Sequence, residues 1–437
     1  MKKPNILYLH SHDTGRTIQP YGHAVATPNF QKLAGEGVLF RQAFTAGPTC
    51  SPSRACLLTG QYAHSNGMLG LAHRGFSLND YSRHILHTLR KEGYTSALAG
   101  VQHIADHRQG TPPWKTIGYD VFLGETDEAH TKAVEFLSQR SDKPFFLSVG
   151  FVETHRDFPA EHPQDDARYC LPPAPLPDTP EIREDMAQFK QSARILDDKM
   201  GAVLDALDRS GLADNTLVIC TTDHGIAFPR MKCNLEDSGI GVMLIMRGPG
   251  GFRGGKVIDG LVSQVDLFPT ICELLGIEPP DWLEGQSFLP LVTGEKNEIH
   301  DAIFAEINYH AAYEPMRCAR TRRWKYIRRY DPRTRPVLPN TDAGLSKSVW
   351  LDCGWTDVLP VEEALYDLVF DPNEKKNLAT DEKYGVVLEK MKQKLADWML
   401  RTKDPLLQGE IPLPNTAHLN SRDQIHPGDE KLPLGVR

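Results

Sequence analysis

No apolar run in the chain approaches the roughly 20 residues that a membrane-spanning helix requires. Behind Lys2 and Lys3 stands only "ILYL", with polar residues straight after it. That run is too short for a secretory h-region, so it is read as a first strand and the protein is expected to be cytoplasmic. Basic charge is scarce too. With 49 Lys and Arg against 57 Asp and Glu, the formal net charge is −8. This argues against a general nucleic-acid binder but leaves room for a local basic pocket around an anionic ligand. Cysteine is sparse and scattered: Cys50, Cys56, Cys170, Cys220, Cys233, Cys272, Cys318 and Cys353 form no CxxC pair and show no zinc-like spacing. Reduced, mostly structural thiols are expected. Repeats and low-complexity tracts are absent, and neither a nucleic acid nor a membrane is expected as partner. An oligomer is compatible with the sequence, which sets no particular state.

What remains is an ordinary globular composition, 40% hydrophobic and 24% charged, spread over 437 residues. That length favours one large domain and a smaller one. "NILYLH" (5–10), "YTSALAG" (94–100), "FFLSVGFV" (145–152), "TLVICTTD" (216–223) and "GVMLIMRGP" (241–249) are apolar without strict alternation, as buried strands of a mainly parallel sheet are. Helical patterns lie between them. In "TPNFQKLAGEG", Thr27 can cap and Pro28 occupies the first turn, and residues 182–210 and 265–275 read as longer amphipathic helices. The fold class is therefore α/β, a mainly parallel sheet sandwiched by helices. Beyond about residue 300 the pattern turns to antiparallel strands, with a closing helix over 382–401 and a proline-rich stretch from 405. The expected division is a main domain over 1–300, an antiparallel-sheet subdomain over 301–404 and a surface tail over 405–437.

Ligands of such sheets collect beyond the carboxyl ends of the strands. There "HSHDTGR" supplies His12 and Asp13, and "DHG" supplies Asp223 and His224. A carboxylate and an imidazole from each of two strand ends could close on one divalent cation, although each pair alone more often caps a loop. "PTCSPSRACLLTG" (48–60) sets Cys50 at the mouth of a helix, where the dipole and unpaired amides favour an anion. Arg54, one turn on, offers a planar fork to an oxyanion. Ser53 and Thr59 read as caps, and Gly60 as the end of the helix. His103 and His155 follow strands, and Lys232 follows the Asp223–His224 pair. Read singly, an isolated cysteine is a buried hydrophobe, and each of these others is a loop residue.

Taken together and in this order, the pieces resemble the formylglycine-dependent sulfatases of the alkaline phosphatase superfamily. "CSPSR" matches the C-x-P-S-R signature, and "KPNILYLHSHD", "TPNFQKLAGEGVLFRQAF" and "ALYDLVFDPNEKKNLA" are similar to the family's opening strand, nucleophile approach and C-terminal element. Within the family, "HSNGMLGLAHRG", "FFLSVGFVETHRDF", "DHGIAFPRMKCNL" and "YEPMRCARTRRWKYI" resemble the heparan N-sulfatases. The resemblance implies an alkaline-phosphatase-like fold whose residues 1–300 form the catalytic domain. It also implies that Cys50 is converted to formylglycine by a formylglycine-generating enzyme, which reads the proline and arginine that follow. The hydrated aldehyde, bound to a divalent metal, then attacks sulfur. His12, Asp13, Cys50, Asp223 and His224 form the metal set, calcium first by family precedent, with manganese or zinc favoured by the imidazoles. Arg54 and Lys232 hold sulfate oxygens. His155 serves the leaving group, and His103 takes the proton whose loss expels sulfate and restores the aldehyde. The substrate is a sulfated carbohydrate, an N- or O-sulfated glucosamine-type unit, with Arg16, Arg156 and Arg317 as candidate contacts. Phosphonate monoester or phosphodiester hydrolysis, or sulfated-glycan binding without catalysis, are the alternatives.

Two departures from the family pattern stand out. His12 replaces the first of two aspartates, and Val101 replaces a lysine two residues before His103. Loss of one carboxylate is offset by loss of one ammonium. With the metal, Asp13, Asp223, Arg54 and Lys232 counted, the formal charge stays at +2.

Overall fold

The computed structural model describes residues 3–107, 110–139 and 143–436; Lys2, used above in reading the N-terminus, lies outside them. The main sheet has eight strands. In spatial order they are Val121–Gly124, Thr95–Gly100, Phe145–Gly150, Asn5–Ser11, Thr216–Thr222, Leu244–Arg247, Val38–Phe40 and Lys256–Ile258. Only Leu244–Arg247 runs antiparallel to its neighbours, so the sheet is mainly parallel, as the unalternated apolar runs predict.

Both faces of this sheet are buried. Ile6 and Tyr8 pack with Phe146, Leu217 and Ile219 on one side, against Leu57, Leu58, Phe268 and Ile271 of the helices Cys50–Thr59 and Leu267–Leu275. Leu7 and Leu9 point the other way with Leu147, Val149 and Val218. The helix Pro180–Arg209 covers them with Leu196, Met200, Val203 and Leu207 at helical spacing. Asn5–Ser11 sits at the centre between Phe145–Gly150 and Thr216–Thr222. Its carboxyl end therefore opens on the crevice where loops from several strands converge.

A separate four-stranded antiparallel sheet follows, of Ile303–Tyr309, Tyr313–Arg320, Trp324–Arg329 and Glu363–Asp367. The helix Gly385–Arg401 closes it by burying Met391, Leu395, Trp398 and Met399. The stretch after 405 corrects the expectation of a surface tail. Ile411, Ala417 and Leu419 are fully buried in the core of the main sheet, and Tyr309 Oη donates to the Ile411 carbonyl oxygen at 2.9 Å. Proline-rich composition hides this, because the few apolar side chains that anchor the stretch are widely spaced. Thr27 caps nothing with its hydroxyl, which accepts from the Gln19 amide instead.

Candidate active site

Asn5–Ser11 ends one residue before His12, and Thr216–Thr222 ends one residue before Asp223. Parallel pairing with Ser11 opposite Thr222 brings the two loops level. The amides of Asp13 and His224 then both donate to Asp223 Oδ1, at 2.8 and 2.9 Å. Asp13 and His103 hold φ values of 51° and 59°, a left-handed conformation that costs non-glycine residues energy and collects at functional sites. Cys50 opens the helix Cys50–Thr59 behind the extended Thr49, which makes no side-chain cap. The first-turn amides thus have no side chain capping them. Gly60 ends the helix at φ 66°. Ser53 is not a cap. Its hydroxyl donates to the Asp223 carbonyl oxygen at 2.6 Å and ties the helix to the loop, while Thr59 donates to the Ala55 carbonyl oxygen.

These elements bring Cys50 Sγ to 3.3 Å from His224 Nε2 and 4.0 Å from Asp13 Oδ1. His12, Asp13, Cys50 and Asp223 each offer a donor atom within 4.8 Å of the others, all of them buried. Whether a cation fits can be judged from the hydrogen bonds. His224 Nδ1 donates to the Gly225 carbonyl oxygen, which leaves Nε2 as the nitrogen facing the thiol and Asp13. That nitrogen lies 3.2 Å from Asp13 Oδ1, with both side chains fully buried. Two acceptors so placed need a proton or a cation between them. His12 Nδ1 is 3.2 Å from Asp223 Oδ2 without the alignment of a hydrogen bond. The donor set fits a divalent metal.

Arg54 Nη2 donates to Asp223 Oδ2 at 3.0 Å and to the Ser11 carbonyl oxygen at 2.8 Å, and Nη1 meets His10 Nδ1. Lys232 Nζ donates to Asp13 Oδ2 at 2.9 Å and to Asp342 Oδ2 at 2.8 Å. Burial opposes ionisation of Asp223, yet His224 and Arg54 hold its carboxyl well below the usual range. Lys232 is likewise held well above its ordinary value, against burial, by Asp13 and Asp342. Burial, with Arg54 next, pushes His12 down to about 4, so its ring is neutral and ligand-competent at pH 7. Burial also raises the Cys50 thiol well above its ordinary value, so the unaided side chain is no thiolate nucleophile.

His103 and His155 are half-buried at the rim, with ring centroids 5.5 and 5.6 Å from that of His12. His155 Nδ1 donates to the Arg156 carbonyl oxygen, leaving Nε2 to exchange protons. His103 Nε2 meets His73 Nδ1 at 3.0 Å. Beside His103 a cavity of about 230 Å³ is walled by Val101, Trp114 and Phe122. A second cavity, about 860 Å³, holds none of Cys50, Lys232, His103 or His155 and borders Arg16, Arg41 and Arg320 instead.

Three arginines expected at the substrate are engaged elsewhere. Arg16 turns toward Asp237 and stacks on Phe44. Arg156 forms a two-pronged pair with Asp185 between the rings of Phe158 and Phe228. Arg317 is fully buried, held by Asp404 at 3.0 Å and facing Glu306 at 3.4 Å. Sequence neighbourhood to a site residue misled here, because adjacent side chains leave the backbone in different directions. Asp342, His10, His73 and Gln264 went unread, since their partners lie 30 to 211 positions away. Asp342 also corrects the charge tally. Two cations face three carboxylates, so with a divalent metal the formal charge is +1, not +2.

A sulfatase family model matches residues 4–277, and one described as N-sulphoglucosamine sulphohydrolase, C-terminal, matches residues 229–338. Human N-sulphoglucosamine sulphohydrolase is 30% identical over 465 residues, covering 92% of this chain and 91% of its own. An ulvan-active sulfatase of Formosa agariphila is 28% identical, covering 99% and 81%. Among solved structures, one in complex with its substrate D-glucosamine-2-N,6-O-disulfate superposes with a TM-score of 0.71 at 19% identity, covering 92% and 99%. By the extent of these matches, the chain belongs to the sulfatase family of the alkaline phosphatase superfamily, whose members are sulfuric ester hydrolases.

Proposed function

We propose that the protein removes sulfate from a sulfated carbohydrate, an N- or O-sulfated glucosamine-type unit, with Cys50 in its formylglycine form and one divalent metal. The observation that carries the reading is Cys50 Sγ at the mouth of its helix, among His12, Asp13, Asp223 and His224. Those four side chains, with residue 50 itself, would hold the metal, calcium before manganese or zinc. The metal and the aldehyde hydrate together supply a Lewis acid and an oxygen nucleophile at neutral pH. A formylglycine-generating enzyme is the partner that maturation requires. The named relatives, which act on N-sulphoglucosamine and on ulvan, support a carbohydrate substrate.

The chain's own residues do the rest. Arg54 and Lys232 are buried cations whose hydrogen bonds to Asp223 and Asp13 aim them at an incoming sulfate. His155, oriented through Nδ1, offers Nε2 to the leaving oxygen or nitrogen. His103, oriented by His73, accepts the proton whose departure releases sulfate. The aromatic cavity beside His103 receives the sugar ring.

The test combines two measurements: the mass of the Cys50 peptide, and sulfate release across heparin-derived mono- and disaccharides by the parent and Cys50→Ala. Formylglycine in the peptide and a loss of at least about 10⁴-fold on substitution are expected. Faster turnover of aryl phosphonates than aryl sulfates favours phosphonate hydrolysis instead. Unconverted Cys50 with glycan binding but no turnover, in a cell competent for the modification, leaves a binding protein.

A further inference from the structure

A second ligand set shares the cleft. His12, Cys50 and His103 each bring one nitrogen or sulfur donor within 4.8 Å of the other two. A tetrahedral zinc site needs its ligand atoms on the order of 3.5 Å apart, so small side-chain movements complete it. This set is soft, one sulfur and two imidazole nitrogens, whereas the set that shares His12 and Cys50 with it takes hard oxygens from Asp13 and Asp223. His103 also has the outer partner that metal-bound histidines usually show, and His12 stands beside a carboxylate. His103 Nε2 meets His73 Nδ1 at 3.0 Å, and His12 Nδ1 lies 3.2 Å from Asp223 Oδ2. The ordinary aspartate at position 12 would break the set, so the imidazole there is what makes it.

We propose that the encoded thiol form of the protein binds zinc through His12, Cys50 and His103, and that the chemical state of residue 50 thereby selects the metal. Coordination exchanges the Sγ–H bond for an Sγ–metal bond and releases one proton to solvent. Three protein ligands leave a fourth position for water. Conversion to an aldehyde removes the sulfur, and with it the reason for a thiophilic ion to prefer this set over the oxygen-rich one. Zinc so bound also occupies His103, which the hydrolytic reading uses for proton transfer, so the zinc-loaded thiol form is inactive. The binding itself stands independently of that reading; only the switch on conversion rests on it.

The probe is Co²⁺, a spectroscopic stand-in for zinc, titrated into the full-length chain with Cys50 confirmed as thiol by mass. One equivalent is expected to give a thiolate-to-cobalt charge-transfer band in the near ultraviolet, which one equivalent of zinc abolishes. Cys50→Ser, close in size, loses the band. His103→Ala weakens binding at least tenfold, and His73→Phe about tenfold, in line with loss of an outer partner. Asp13→Asn changes zinc affinity less than threefold while removing calcium binding. No band, a band that survives Cys50→Ser, or full affinity in His103→Ala overturns the proposal. Cys353→Ser excludes the exposed thiol as the source. Sulfate release by the converted enzyme is read separately, so failure of either idea is visible without the other.

Discussion

Two buried ion networks flank the loops that follow the central strand, and they carry opposite residual charge. Around Cys50, Arg54 and Lys232 face Asp13, Asp223 and Asp342, two cations against three carboxylates. Around Asp237, Arg16, Arg320 and Lys325 face Asp237 and Glu374, three cations against two carboxylates. Burial alone therefore does not mark the catalytic centre, for Arg320, Lys325 and Glu374 are as buried as Arg54 and Lys232. The second pairs its charges internally while lining the 860 Å³ cavity. Arg320 grips both oxygens of Asp237 at 2.8 and 2.9 Å, and Lys325 bridges Asp237 and Glu374 at 2.6 and 2.8 Å. The first keeps a thiol and imidazole lone pairs converging on one point with an excess of negative charge. A buried excess of that sign calls for a cation, and lone pairs of several kinds say where it sits.

The comparison is broken most forcefully from the side around Asp237. Lys325→Met leaves the buried Glu374 without its cation and is expected to cost about 3–5 kcal/mol of stability. The surviving folded enzyme should keep kcat within about threefold, because nothing in that network touches the cleft. Urea unfolding together with turnover per folded molecule checks this, and a selective loss of kcat would join the two networks functionally.

On the side around Cys50 the expected effect is somewhat smaller. A unit charge about 5 Å from sulfate is worth roughly 3 kcal/mol at an effective dielectric near 20. His12→Asp, or Val101→Lys, is thus expected to move kcat/KM by about two orders of magnitude. The two together should return it toward the parent value if they compensate. A double variant no better than the worse single shows that they do not.

The mildest test sharpens the contrast through pH. Burial raises Glu374 from 4.5 to about 7, only partly countered by Lys325. Between these values the folded protein binds more protons at this group than the unfolded chain does. Its contribution to stability therefore falls as pH rises from about 4.5 to 7. Glu374→Gln should flatten that part of the stability profile, measured as urea midpoints across the range. An unchanged slope would mean that Glu374 is ionised throughout, as Asp223 beside Cys50 is.

How far the sequence reached differs between these regions for physical reasons. Strands of the main sheet were legible because both faces are buried, so each shows as an unbroken apolar run such as "NILYLH" or "TLVICTT". Asp13, Asp223 and His224 were legible because strand ends of a parallel sheet are where ligands gather. The family likeness then joined Cys50, His103, His155 and Lys232 to them. Arg16, Arg156 and Arg317, expected at the substrate, pair with Asp237, Asp185 and Asp404, and Asp342 and His73 were missed. What an arginine or a loop aspartate does depends on the side chain it meets, and Asp342 meets Lys232 from 110 positions away.

Sequence by itself determined the parallel core, the helix that starts at Cys50 and the chemical kinds of donor at the strand ends, because local periodicity and strand-end chemistry are written in neighbouring residues. Tertiary structure alone decided which charges pair off and which are left over. That balance is a sum over side chains brought together from distant positions, and a single unread carboxylate changes it.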